Sequence, residues 1–123
     1  MQYALVFVGG GLGASLRHAI NLAAARLGFA FPIGTLAVNV LGSFLMGVLV
    51  AYFALRTGID QHVRLLLTTG LLGGFTTFSA FSLDAALMWE KGAFAELALY
   101  AGGSVVLSVA GLFAGMAAVR LLA

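Results

Sequence analysis

The sequence predicts an all-α membrane protein with four transmembrane helices per subunit, the third broken near its middle. Composition is the first reason. The 123 residues are 63% hydrophobic and only 8% charged, with a mean hydropathy of +1.13, whereas soluble domains carry about 25% charged residues. Too little polar material exists to surround a water-soluble core. Length is the second reason. A span needs about 20 mostly apolar residues, and the chain supplies four such runs, over residues 3–25, 33–55, 63–89 and 94–120. Residues 1–123 therefore read as a single four-helix transmembrane domain. The third reason is the stretch GLLGGFTTFSAFS over residues 70–82. Its three glycines weaken a helix by roughly 1 kcal/mol each relative to alanine. The hydroxyls of Thr76, Thr77, Ser79 and Ser82 compete for the backbone groups a helix would use.

A break of this kind within a hydrophobic run points to function. Irregular backbone at membrane depth is tolerated only where it is buried in protein or lines a water-filled cavity. Freed carbonyls there can bind cations, and helix N-termini attract anions. Small residues that let two helices approach closely are the plainer explanation.

The first run has no basic side chain before Arg17, so it lacks the basic start of a cleaved signal peptide and is expected to persist as a helix. Its glycines at 9, 10, 11 and 13 resemble half a dinucleotide fingerprint, without the preceding strand or the later acidic residue that fingerprint needs; they read as close helix packing. Arg17 lies within the span, where an arginine costs at least about 2.5–3.5 kcal/mol and usually faces a cavity or a partner. Snorkelling to the interface is the alternative. Facing a vestibule, it would concentrate anions.

Pro32 suits the start of the second helix, and Gly28, Gly58 and Gly92 suit helix ends. Asn39 and Ser43 fall four residues apart on one face of that second helix. The asparagine amide can stabilise helix contact or donate to a dehydrated anion. Past the break, Phe75, Phe78 and Phe81 recur every three residues. Their positive ring edges could hold an anion weakly enough to release it, or the rings could simply fill space. In the fourth helix Tyr100, Ser104 and Ser108 form a hydroxyl stripe about 12 Å long. Gly111 and Gly115 mark close packing.

Charge says little about orientation. Arg56, Arg64 and Arg120 lie on the side carrying both termini, and Arg26 and Lys91 on the other. A bias of one basic residue is almost no instruction, which permits insertion both ways and an antiparallel, dual-topology homodimer. The net charge of +2 implies no nucleic-acid partner. With no cysteine, two histidines and no carboxylate at the middle of any span, no catalytic triad or thiolate metal site can be assembled. Proton-coupled cation transport lacks its usual buried carboxylate. The chain does not read as an enzyme.

Three motifs, GGGLGASLR over 9–17, GTLAVNVLGSF over 34–44 and GLLGGFTTFSAFS over 70–82, together resemble the signature of the Fluc (CrcB) fluoride channels. The resemblance covers essentially the whole chain. It implies a dual-topology homodimer in a prokaryotic cell (inner or plasma) membrane that exports toxic fluoride by passive electrodiffusion through two antiparallel pores. It implies a structural sodium ion at the dimer centre, held by the backbone carbonyls of Gly73 and Thr76. The fluoride pathway would use Asn39, Phe78, Phe81, Tyr100, Ser104 and Ser108, with Arg17 at the anion approach, and would leave out Phe75. Two departures stand out: Asp84 where the family commonly has glutamate, and His18 where an aromatic is common. Neither is expected to touch a pathway or sodium position, so both are expected to affect fine tuning alone. The partners so implied are a second copy, fluoride and the lipid bilayer. An alternative, a small dual-topology multidrug exporter, would rely on a carboxylate in the first helix, which has none. A further alternative is a non-transporting assembly subunit whose polar residues are packing contacts.

Overall fold

The structure, a computed structural model, describes all 123 residues. It is entirely helical. α1 spans Gln2–Arg26, α2 Ile33–Leu55, and the third segment is composite. That segment runs through α3 (Gln61–Leu65), a π-helical stretch (Leu66–Leu72), α4 (Gly73–Phe75) and α5 (Ser79–Glu90). α6, over Phe94–Leu122, completes the chain. Three segments are long and apolar enough to cross a membrane: Ile33–Leu55, Gln61–Glu90 and Phe94–Leu122. α1 has the length, at 25 residues, but Arg17, His18 and Asn21 make it the most polar of the long helices. The predicted runs match these elements to within two residues at every end.

The turns follow from glycine. Gly28, Gly58 and Gly92 have φ of 74°, 78° and 72°, left-handed values that cost a residue with a Cβ roughly 1 kcal/mol or more. Each reverses the chain just beyond a helix, as expected.

Only 16 residues are buried, and large apolar side chains such as Leu99, Val105, Val106 and Phe113 stand mostly exposed along α6. In water this surface would drive aggregation; in a bilayer it faces its proper solvent. Helices meet instead through small residues. A Cβ on Gly9 would come within 2.8 Å of the Leu66 carbonyl oxygen, and one on Gly13 within 2.7 Å of the Phe75 nitrogen. α1 therefore lies backbone against backbone on the first half of the third segment. Gly115 seats α6 on the backbone of α2 at Phe44 in the same way, whereas Gly111 has more room.

The glycines of the third segment do not make the break. Gly73 keeps helical angles (φ −62°, ψ −38°), and the chain first leaves the helix at Thr76 (φ −82°, ψ 160°). Gly70 and Gly74 serve proximity instead, since an added Cβ on Gly74 would collide with the backbone of Gly10 and one on Gly70 would press on Gly9 at 3.2 Å. The wide π-turns before the break were not foreshadowed by composition; such turns are frequent at functional sites.

Candidate ion-binding groove

At the break, each backbone group that loses its helical partner can be followed. In an unbroken helix the Thr77 N–H would bond the Gly73 carbonyl. It donates instead to Asn39 Oδ1 at 2.8 Å, while Asn39 Nδ2 donates to the Thr77 carbonyl at 2.9 Å. The amide of Asn39 thus pairs with Thr77 as a neighbouring strand would. The Ala80 N–H, helical partner of the Thr76 carbonyl, donates to Thr77 Oγ1 at 3.1 Å, so that threonine caps the start of α5. The Gly73 and Thr76 carbonyls have thereby lost their helical donors, and so have the other carbonyls at the break, of which Gly74 and Thr77 are taken up by side chains.

Arg17 reaches the same place from α1. Its Nε donates to the Gly74 carbonyl at 3.2 Å, half-buried. A cation at the C-terminal end of a helix is favoured by the helix dipole, so Arg17 both finds a partner and caps the first half-helix. It lies against the break and does not line the groove described next.

Beside the break is a groove of about 480 Å³, bounded by Asn39, Thr76, Phe78, Phe81, Ser104 and Ser108 among others, with Gly73 and Ser43 also on its wall. One amide N–H of Asn39 is left after its bond to Thr77. Ser104 Oγ is buried and has no hydrogen-bond partner. The ring of Phe78 is 79% exposed, so one flank of the groove is open. No carboxylate and no basic side chain lines it. It is an uncharged surface of amide, hydroxyl, aromatic and valine side chains.

Phe78 and Phe81 pack with centroids 5.5 Å apart, and Phe81 continues to Tyr100 at 5.1 Å, which meets Phe31 edge-on at 5.5 Å. Phe75, indistinguishable from the other two by spacing, is buried and packs over Gly42. It is core. The hydroxyl stripe of α6 divides: Ser104 and Ser108 face the groove, whereas Tyr100 lies beyond Phe81, fully buried.

Tyr100 corrects one expectation. Its hydroxyl donates to Asp84 Oδ2 at 3.0 Å, so Asp84 does touch a predicted pathway residue and is not remote from it. The signal was present in the sequence. Asp84 and Tyr100 are each eight residues from Gly92, and an antiparallel helical hairpin turning there sets them opposite each other. A second, smaller cavity of about 330 Å³ lies on this side, with Asp84, Thr35 and Asn21 as its polar walls. The role of Thr77 as clamp and cap does not follow from its place in the hydroxyl cluster, because the clamp depends on Asn39, 38 residues earlier.

The chain matches the family model described as "CrcB-like protein, Camphor Resistance (CrcB)" over residues 4–116. A protein of Rhodopseudomonas palustris (strain BisB5) named fluoride-specific ion channel FluC is 60% identical over 121 residues, covering 98% of both chains. A protein of the same name from Methylobacterium nodulans is 59% identical over 116 residues, covering 94% of both. Fluoride-specific ion channel FluC 2 of Nitrobacter hamburgensis is 59% identical over 121 residues, covering 98% of both. Similarity of this depth along nearly the whole length means that the protein belongs to the CrcB family.

Proposed function

We propose that the protein is a fluoride-selective channel of the bacterial inner membrane, and not an enzyme. In this reading two four-span subunits associate antiparallel, and fluoride leaves the cell down its gradient through two antiparallel pores. The relatives are named as channels of this specificity, and the groove supplies a physical basis. The observation that carries the reading is the Ser104 hydroxyl, buried at the groove with no partner. Such a group costs about 1–3 kcal/mol unless something satisfies it, and a dehydrated anion crossing the groove would do so.

The other walls suit the same task. A small anion gives up water only where donors replace it, and the spare Asn39 N–H and the Ser108 hydroxyl line the same groove. Phe78 and Phe81 add ring edges, which are electropositive. Each contact is weak, as conduction requires. Tyr100 extends the track beyond Phe81, with its proton shared with Asp84. Arg17 contributes fixed positive charge beside the approach, which raises local anion concentration. The open flank at Phe78 supports closure by a second copy.

The carbonyls of Gly73 and Thr76 suit a structural sodium ion, because both have lost their helical donors and backbone oxygens are the ligands hard cations prefer. Two oxygens are few for such an ion, and the same pair from a second copy would complete a shell. When bound, sodium would supply fixed positive charge in a low-dielectric setting.

Fluoride efflux from liposomes holding the purified protein, followed by electrode with chloride as control, tests the reading. Rapid fluoride release with chloride retained is expected, and Phe78→Ile or Phe81→Ile should cut that flux while the dimer still assembles. Absence of release from folded, dimeric protein would reduce the groove to a packing defect.

A further inference from the structure

A pair of arginines, apart from the groove, lies where α2 ends and α3 begins. Arg56 and Arg64 flank this boundary. The guanidinium of Arg56 sits over the Tyr52 ring at 5.2 Å, and that of Arg64 over the Phe53 ring at 5.2 Å. The two rings meet edge-on at 6.1 Å. Two cations are thus held on adjoining aromatic faces.

Neither arginine has an anionic partner. The only carboxylate in the connecting turn, Asp60, is engaged by His62, whose Nδ1 lies 3.3 Å from Oδ1. Arg64 Nε is buried and makes no hydrogen bond. Its backbone is fixed as well, since Thr68 Oγ1 donates to the Arg64 carbonyl at 2.7 Å. A positioned arginine with unspent donors is the side chain that best matches the oxygens of a phosphate group. Aromatic rings at the end of a membrane span lie at the level of lipid headgroups. We propose that Arg56 and Arg64 form a seat for the headgroup phosphate of an anionic phospholipid. Lipid, and not free phosphate, is the occupant, because the site opens at the end of an apolar span whose flank is bilayer-facing: Val50 and Leu55 are both exposed beside it.

The test is binding of phosphatidylglycerol to the full-length protein in phosphatidylcholine micelles, read by native mass spectrometry and by thermal shift. Each basic residue near a membrane surface contributes about fivefold in affinity for anionic lipid, so Arg56→Gln with Arg64→Gln should weaken binding about 30-fold. The pair Arg26→Gln with Lys91→Gln, at the opposite end and well beyond a Debye length from the seat, should change it less than about twofold. Arg56 is exposed, so Arg56→Gln alone is a safe variant if the double one folds poorly, and about a fivefold loss is then expected. Unchanged binding in the Arg56 and Arg64 variants would overturn the proposal, as would equal losses from both pairs, which would mean diffuse surface charge. Full competition by inorganic phosphate at matched concentration would also overturn it, because the site would then serve a free ion.

Discussion

The two halves of the third segment come from one apolar run and behave as different materials. Before the break, Gly70, Leu72 and Phe75 are buried, and the backbone rests on the glycines of α1. After it, Phe78 is exposed, and α5 buries Met88 alone and shows Leu83, Leu87 and Trp89 to its surroundings. The first half is scaffold, locked by contacts a single methyl would disturb. The second half is surface, waiting on what covers it. The difference teaches that hydropathy alone does not separate structure from function in a membrane chain. What separates them is where small residues allow backbone to touch backbone.

The comparison can be broken most forcefully on the scaffold side. Gly13→Leu would force a side chain into the backbone at Leu71 and Phe75, and about 3 kcal/mol or more of destabilisation is expected. Chemical denaturation in detergent, or failure to recover folded protein, would record it. A stable variant would mean that α1 can withdraw from the break.

Asn39→Ala should come next, since it strands both the N–H and the carbonyl of Thr77. The cost is about 1–3 kcal/mol for each group left unpaired, with loss of fluoride flux. Comparing melting with efflux separates the two roles of this residue: intact stability with lost flux would deny the clamp.

On the surface side, Ser104→Ala removes one donor and relieves one orphaned group. Stability should hold or rise slightly, while flux falls by about tenfold, the equivalent of one weak ion contact of roughly 1.4 kcal/mol. Flux equal to the parent would remove Ser104 from the pathway. The smallest effect belongs to Gly11→Ala. Nothing lies within 4 Å of an added Cβ there, so stability should change by less than about 1 kcal/mol. A large loss would reveal a partner seated on that face of α1.

The helices were legible because length and apolarity are properties of a segment by itself. The helix-ending glycines were legible for the same reason. Where the break falls was only half legible: the threonines and glycines mark the neighbourhood, but Gly70 and Gly74 are contact points and Thr76 is the point of departure. Phe75 could not be told from Phe78 and Phe81, because period three is silent about which neighbour each ring meets. The bond between Tyr100 and Asp84 needed the register of the α5–α6 hairpin, which Gly92 supplies once the turn is placed. Partners brought together by docking, such as Arg17 with Gly74, leave no local trace.

The pairing of Asn39 with Thr77 has a consequence for the order in which the protein is made. Alone in hydrocarbon, residues 61–90 have nothing to satisfy an interrupted ladder of hydrogen bonds, and an uninterrupted helix is their least costly form. The amide that compensates the interruption belongs to α2. The segment would therefore enter the bilayer straight and open only as α2 docks, so the most specialised stretch of the chain takes its shape only once its neighbour is in place.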